Sequence, residues 1–175
     1  MRLCKFIQIP NKFNEFGLSK LIATYYVYDI SDLAKVSSLY RTLAKEVDYL
    51  YAYITINELE PKNLDESDYW LGLQNCYLSE DSLCNLDIDF HKFDTKYRNK
   101  MPEVRAFLRE NKIHSTLQES PHGYHLVVPS EFKSICLKEI SKILNGHISE
   151  DYTNVLALDG MVINGFETKT IENWT

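Results

Sequence analysis

The chain has 175 residues, a mass of 20.5 kDa and a formal net charge of −6, with 45% hydrophobic, 25% charged and 13% aromatic residues. This length is typical of one globular unit, and the aromatic content excludes a chain that is disordered throughout. No apolar run approaches the roughly 18 residues of a membrane span, so we expect no membrane partner. The four cysteines have no CxxC spacing, and we interpret them as reduced thiols of a cytoplasmic protein.

The first half of the chain predicts a small α/β module, which we assign to residues 1–83. Alternation and β-branched or aromatic residues predict its strands, and apolar residues at helical spacing predict its helix. In chain order the predicted elements are an irregular stretch (1–20), a strand (21–30), a helix capped by Ser31, a strand (51–56), a polar loop (57–68) and a short strand (69–74).

The second half, residues 84–175, has a clearer pattern. In chain order it predicts a strand (86–90), a helix (102–110), a strand (113–119), a turn (120–123), a strand (124–128), a helix from Ser130 to the stop at 145–146, and one or two strands within 155–163. The order β-α-β-β-α-β is that of the split βαβ, or ferredoxin-like, fold, in which the first and third strands lie side by side and both helices cover one face. We therefore predict an α+β protein, with both modules forming one compact unit.

Two aspartates stand out in the predicted strand 86–90, where apolar residues flank Asp87 and Asp89. Because strand side chains alternate, the two carboxylates lie about 7 Å apart on one face. Such carboxylates repel each other and favour a hard cation between them, and oxygen ligands suit Mg²⁺ or Mn²⁺. We predict a metal site at Asp87 and Asp89; a strand with one solvated face is the alternative.

A turn containing Ser, His and Gly precedes the predicted strand 124–128. Gly123 at the mouth of that strand lets backbone N–H groups approach a phosphate, Ser120 supplies a hydroxyl, and His125 can donate a hydrogen bond to a phosphate oxygen. If this strand is the central third one, His125 lies beside the two aspartates of the first. A β-turn followed by an ordinary strand histidine is the alternative.

Two further features are less specific. Asp159 follows an apolar run and can complete a metal site, although Asp-Gly is also a common turn. The segment 92–112 carries seven basic and three acidic residues, and we predict that it contacts nucleic-acid phosphates, a solvated helix face being the alternative. The candidate contacts are Lys92, Lys96, Arg98, Lys100, Arg105 and Arg109.

Taken together, these motifs resemble the archaeo-eukaryotic primase (primase-polymerase) superfamily over about residues 84–160. The shared pattern is an apolar-flanked Asp-x-Asp, then Ser-x-x-Gly-Tyr-His opening a strand, then an apolar residue followed by Asp. The resemblance implies an RRM-like catalytic core preceded by a smaller α/β module. Because the family includes viral and plasmid enzymes, it also implies the host-cell cytoplasm as the compartment if the gene has such a source.

The resemblance also implies roles for particular residues. It makes Asp87, Asp89 and Asp159 catalytic ligands of Mg²⁺ or Mn²⁺, and it makes Ser120, Gly123 and His125 the site for the phosphates of the incoming nucleotide. Family members often contact phosphate or template through an arginine after the third acid, and Lys169 is the basic residue in that region here.

The leading functional hypothesis is a DNA primase/polymerase-type nucleotidyltransferase that uses two-metal phosphoryl transfer on a single-stranded DNA template. Its expected partners are the template, nucleoside triphosphates and a helicase or second primase subunit. A non-catalytic, primase-like nucleic-acid-binding module is one alternative. A rolling-circle replication endonuclease is another, but that chemistry needs a His-x-His pair, whereas His122 and His125 are one residue too far apart to share a strand face.

Overall fold

The computed structural model describes residues 2–9, 20–58, 83–90, 94–120, 122–152, 155–163 and 166–173. These residues form an α+β structure with two larger antiparallel sheets, a two-stranded ribbon and a few helices. In this part of the chain, no helix is both long enough and apolar enough to cross a membrane. The strand predicted at 69–74 lies outside the described residues.

The strands are β1 (Arg2–Gln8), β2 (Lys20–Val27), β3 (Leu50–Thr55), β4 (Leu83–Asp89), β5 (Thr116–Ser120), β6 (Gly123–Pro129), β7 (Ser149–Asp151), β8 (Val155–Ala157), β9 (Val162–Ile163), β10 (Phe166–Glu167) and β11 (Lys169–Asn173). The helices are α1 (Ile30–Leu43), α2 (Thr95–Arg98), α3 (Met101–Glu110) and α4 (Lys133–Ile143), and a 3-10 turn at Ser130–Phe132 precedes α4.

The first sheet has the strand order β2-β1-β3-β8, and α1 packs on one of its faces. The prediction that the first twenty residues are irregular is wrong for β1, whose backbone pairs with both β2 and β3. Five consecutive residues of β1 are buried, so both faces of this strand are covered. The strand therefore lacks the alternation of polar and apolar residues that is typical of a half-buried strand.

The N-cap of helix α1 lies two residues earlier than predicted. The side chain of Asp29 accepts hydrogen bonds from the backbone N–H groups of Ser31 and Asp32 and is therefore the N-cap, in place of Ser31. Ser130 is likewise not the N-cap of α4: it begins the 3-10 turn that leads into this helix, whose N-cap is Phe132. In both places a serine matches the sequence preference for a cap, but the backbone dihedral angles place the cap at another residue.

The second sheet has the strand order β11-β5-β6-β4-β7, with every neighbouring pair antiparallel. The central pair β4 and β6 are the predicted first and third strands, side by side as expected. Helices α3 and α4 bury their apolar sides against Leu86 and Ile88 of β4 and Leu126 of β6. Both helices therefore cover one face of this sheet, and Asp87 and Asp89 lie on the other.

The last strand of the predicted β-α-β-β-α-β unit is wrong. The strand beside β4 is β7, and the apolar run that we assigned to this position forms β8, which pairs with β3 of the first sheet. Strand β7 consists of Ser, Glu and Asp and is held by backbone pairing, so it has no hydrophobic pattern to reveal it. A segment of the second half thus completes the sheet of the first.

Side-chain amides join the two sheets. The Nδ2 atom of Asn85 on β4 donates to the carbonyl oxygen of Val155 at 3.2 Å, and Nε2 of Gln118 on β5 donates to that of Ala157 at 2.7 Å. Strand β8 lies at the edge of its sheet, so the backbone carbonyl groups on its outer side have no neighbouring strand to pair with. The two side-chain amides donate to these carbonyl groups instead. They hold β8 against the helix-free face of the second sheet.

Three of the four cysteines lie in the described residues, and all three are buried free thiols: Cys4, Cys84 and Cys136. Burial raises the pKa of Cys4 and of Cys136 to about 12, so neither forms a thiolate near neutral pH. The described thiols therefore act as small apolar side chains.

Candidate functional site

A row of polar residues crosses the helix-free face of the second sheet. Strand register places Ser149, Asp87, His125, Gln118 and Thr170 opposite one another across β7, β4, β6, β5 and β11. We call these five residues the polar row. The predicted neighbours Asp87 and His125 are thus brought together on adjacent central strands.

Asp87 lies at the centre of a concentration of negative charge. Burial is the main cause that raises its pKa, and the charges of Asp89 and Asp151 raise it further, whereas the nearby imidazoles of His125 and His122 lower it. Asp89 is exposed on the same face, two residues along β4. The carboxylates on this face repel each other, and a bound cation would relieve that repulsion.

His125 faces Asp87 without bonding to it. Its Nδ1 atom lies 3.7 Å from Oδ1 of Asp87, beyond hydrogen-bond distance, and it is buried with no hydrogen-bond partner among the described residues. A buried polar ring atom without a partner is costly unless water or a ligand reaches it. Nδ1 of His125 is therefore a polar atom whose hydrogen-bonding capacity no described residue satisfies.

Gly123 and Ser120 pair with each other at the end of the β5–β6 hairpin, and Gly123 also pairs with Asp89. A Cβ atom on Gly123 would lie 1.8 Å from the carbonyl oxygen of Ile88, and the φ of Gly123 is +143°. The close approach of β4 therefore explains why a glycine stands at this position, whether or not a phosphate binds there. Ser120 is buried at the end of β5, on the same face as Gln118.

Asp159 is held apart from the other two aspartates. Its Oδ1 atom accepts hydrogen bonds from Nε2 of Gln118 at 3.1 Å, from the backbone N–H of Thr170 at 3.1 Å and from the Thr170 hydroxyl at 2.9 Å. These partners belong to β5 and β11, at least two strands from β4, a separation of about 10 Å. In the described parts of the chain, no group of three or more His, Cys, Asp or Glu side chains could hold one metal ion.

Lys169 lies on the edge strand β11 and pairs with Glu119. Because neighbouring strand residues point to opposite faces, Lys169 faces away from the polar row to which Thr170 belongs. The structure therefore does not bring Lys169 to His125, and the predicted phosphate contact at this position has no support from geometry.

The residues predicted to contact nucleic acid differ in their contacts within the protein. Two are tied to the protein itself: Arg98 forms a 2.7 Å ion pair with Glu119, and Nζ of Lys100 donates to the carbonyl oxygen of Ile143 at the end of α4. Lys96 is exposed, with its ammonium 5.3 Å from the centre of the Tyr97 ring. Lys92 lies outside the described residues.

Arg105 and Arg109 belong to α3, which packs on the face of the sheet opposite the polar row. Helix α3 buries Met101, Val104 and Leu108 against that face and carries its arginines on its outer sides. The arginines predicted to contact nucleic acid and the aspartates predicted to bind metal are close together along the chain, but they lie on opposite faces of the sheet. A strand of nucleic acid bound along α3 would not pass over Asp87.

Gln118 is the site residue that sequence reasoning missed. It is 1% exposed, lies between His125 and Thr170 in the polar row and donates to both Ala157 and Asp159. The sequence did contain one indication of its position: Gln118 follows the apolar Leu117 in a predicted strand, and strand alternation therefore places Gln118 on the helix-free face. Nothing in the sequence indicates that β8 and Asp159 would cover it.

No protein-family model, curated protein or solved structure matched the chain when it was compared with each. Any functional assignment therefore rests on the chemistry of the polar row and its neighbours.

Proposed function

We propose that the protein is a DNA primase/polymerase-type nucleotidyltransferase whose site is the helix-free face around β4 and β6. The observation that carries the proposal is that Asp87 and Asp89 share one face of a central strand, with His125 opposite Asp87 and its Nδ1 atom unpartnered among the described residues. The strand order β5-β6-β4-β7, with two helices on one face, supports an RRM-like, ferredoxin-like core.

The residues present fit a divalent cation held by two carboxylates. Mg²⁺ is commonly bound through one or two protein carboxylates, with water and substrate phosphates completing its shell, so Asp87 and Asp89 suffice without Asp159. Burial is the main cause that raises the pKa of Asp87, but the charges of Asp89 and Asp151 raise it as well, and a cation bound here would relieve that repulsion. When bound, Mg²⁺ or Mn²⁺ would neutralise charge on the transferring phosphoryl group and on the departing pyrophosphate.

His125 and Ser120 would hold the triphosphate. The Nδ1 atom of His125 has no partner among the described residues, and an N–H there can donate to a phosphate oxygen. Ser120 lies two residues along β5 from Gln118, the register partner of His125, and on the same face, where its hydroxyl can donate as well. The chain's own contribution to catalysis is therefore positioning and charge neutralisation, with no covalent intermediate.

The decisive experiment is nucleotide incorporation on primed and unprimed single-stranded DNA with Mg²⁺ or Mn²⁺. We expect the wild-type protein to incorporate nucleotides and Asp89→Ala to lose at least about 100-fold, because a metal ligand is removed. Glu139→Gln is the matched control, since Glu139 lies on α4 paired with Lys142 and should leave the rate unchanged. An unaltered rate in Asp89→Ala would disprove the metal site.

Calorimetry separates the two proposed roles on this face. His125→Ala should weaken nucleoside triphosphate binding while leaving Mn²⁺ binding intact, because hard oxygen-coordinated cations suit carboxylates and imidazole prefers softer metals. Equal loss of both affinities would show that His125 is itself a metal ligand.

A non-catalytic nucleic-acid-binding module is the second candidate. It is favoured by the hydrogen bonds that keep Asp159 with Gln118 and Thr170, and by the position of Arg105 and Arg109 behind the sheet. If the wild-type protein binds single-stranded DNA without incorporating nucleotides, this candidate is correct. Replacing both arginines with alanine should then weaken DNA binding and reduce its dependence on salt.

A further inference from the structure

A cavity of about 480 Å³ lies between the two sheets, and its lining includes residues of α1, β3, β5, β6 and β8. Its volume is within the range of small-molecule sites, which are about 300–1,000 Å³. Asp87, Asp89 and His125 are not among the residues that line it. The cavity is therefore a separate place from the proposed metal site.

The walls of this cavity are mainly apolar. Leu33 of α1, Ile54 and Ile56 around β3, Val127 of β6 and Leu156 of β8 all contribute to them. These walls favour a ligand whose body buries nonpolar surface over a small, strongly hydrated ion.

The charged residues of the lining, Arg2 and Asp159, lie at opposite ends of β3. The register of β1 against β3, continued by two residues, places Arg2 beside Ile56. At the other end, the backbone N–H of Leu158 donates to the carbonyl oxygen of Ala52, and Asp159 is the next residue. Ile56 and Ala52 are about 13 Å apart along the extended chain, so the carboxylate of Asp159 does not neutralise Arg2.

The Arg2 end of the cavity also contains uncharged hydrogen-bond donors. The Asn57 side chain, next to Ile56 in the chain, bonds to both backbone polar groups of Leu83, which brings the start of β4 to this end. Strand register places Pro129 beside Leu83. The lining residues His114 and Ser115, which directly precede β5, lie at the same end of the second sheet and can donate hydrogen bonds.

Arg2 is the residue of this end that has a charge to offer a ligand. Its side chain is exposed at the rim of the cavity, and among the described residues no ion pair or hydrogen bond occupies its guanidinium group. A guanidinium group binds a carboxylate through two parallel hydrogen bonds. An anion at this end would therefore gain a charged partner without displacing one.

We propose that the cavity binds a carboxylate that carries an apolar body, the chemistry of a medium-chain fatty acid. The carboxylate would pair with Arg2 at the rim, and the apolar chain would lie between the walls. Keeping the charge at the rim avoids the desolvation cost of burying it between apolar side chains. The inference does not require nucleotidyl transfer, because the cavity lies apart from Asp87 and Asp89.

Calorimetry on the wild-type protein with three ligands tests the ligand class. We expect octanoate to bind, and we expect hexanoate to bind about tenfold more weakly, because each buried methylene group contributes about fourfold to affinity. Octanamide has the same chain without the charge and should bind at least about fivefold more weakly than octanoate. None of these comparisons depends on a variant that folds.

Two arginine variants test the charged partner. Arg2→Gln should lower octanoate affinity at least about fivefold and leave octanamide affinity unchanged, because octanamide carries no charge. Arg41→Gln is the matched control: it removes the same charge from the last turn of α1, where the residue is exposed and does not line the cavity. It should leave the affinity for both ligands unchanged.

Two serine variants on α1 test the location. Ser37 lines the cavity, whereas its neighbour Ser38 is exposed. Ser37→Phe should fill the cavity and lower octanoate affinity at least about tenfold, and Ser38→Phe, which adds the same side chain to the same helix, should leave it unchanged.

The proposal is overturned if millimolar octanoate does not bind, if octanamide or hexanoate binds as tightly as octanoate, or if Arg2→Gln or Ser37→Phe keeps full affinity. Asp89→Ala distinguishes this inference from the proposed function, because it should lose nucleotide incorporation and still bind octanoate. Octanoate binding by a wild-type protein that incorporates no nucleotide supports the cavity site and removes the catalytic proposal alone.

Discussion

Gly123 is a single residue on which the contact between β4 and β6 depends. Any side chain there would meet the carbonyl oxygen of Ile88 at 1.8 Å, and the φ of +143° already disfavours L-residues. We expect Gly123→Ala to lower the free energy of unfolding by roughly 3 kcal/mol, measured by urea denaturation, because β4 must move away.

Gly146 is the matched control for this substitution. It also has a positive φ, +88°, but a Cβ atom there would meet nothing within 4 Å. Gly146→Ala should therefore cost only the backbone penalty, about 1 kcal/mol. Equal losses in the two variants would show that the close approach at Gly123 does not limit stability.

Asp87 should make stability depend on pH in the direction opposite to most carboxyl groups. Burial and neighbouring negative charges raise its pKa above the ordinary value of 3.8, so the folded state holds the proton longer than the unfolded state. The free energy of unfolding should then fall as pH rises from about 3.8 through the raised pKa of the folded state. Without divalent metal, Asp87→Asn should be more stable than wild type at pH 7.

Thermal unfolding of both proteins across this pH range checks the sign. The difference between Asp87→Asn and wild type should shrink as pH falls and vanish below about 3.8, where Asp87 is protonated in both states. A variant that is less stable than wild type at neutral pH would mean that the ionised carboxylate is satisfied in the metal-free protein.

At the level of single elements, α1 depends on its N-cap. Asp29 accepts from the backbone N–H of Asp32 and from Ser31, and these bonds lower its pKa, the bond from Asp32 most. Its stabilising contribution should be present above the ordinary pKa of 3.8 and lost as pH falls through the lowered value. Asp29→Ala should lower the melting temperature at pH 7 more than Asp29→Asn, which keeps a capping oxygen.

If Asp29→Ala and Asp29→Asn had the same melting temperature, the side-chain cap would not contribute to the stability of α1. In that case the helix would be stabilised by the packing of its apolar residues, among them Val36 and Tyr40.

How well each element could be predicted follows from its burial pattern. Helix α3 buries Met101, Val104 and Leu108 at helical spacing, and a one-sided pattern of this kind is visible in sequence. Strand β1 is buried along five successive residues and β7 is polar, so neither shows the alternation of a half-buried strand. Backbone pairing with neighbours distant in the chain decided both strands.

At the scale of the whole molecule, the amide contacts between the sheets should be a major source of cooperativity. Asn85 is fully buried, and its Nδ2 atom donates to Asp151 at 2.8 Å and to Val155 at 3.2 Å. Asn85→Ala should cost about 1–3 kcal/mol in urea denaturation, because buried acceptors lose their donor.

Asn111 provides the comparison for this substitution. Its amide also donates to one carbonyl, that of Phe107 at 2.8 Å, but the contact is exposed and water can replace it. Asn111→Ala should therefore change stability by less than about 0.5 kcal/mol. A similar small loss in Asn85→Ala would indicate that β8 is held to the second sheet by its apolar side chains.

The sequence by itself determined the α+β class and the shared face of Asp87 and Asp89, because alternation and helical spacing are local properties of the chain. It also determined the adjacency of β4 and β6, because the order of the elements is that of the split βαβ fold. Only the tertiary structure decided that Asp159 bonds to Gln118 and Thr170. This contact depends on β8, which pairs with β3 and not with β4. The choice between two available strand edges depends on long-range packing, and no local pattern encodes it.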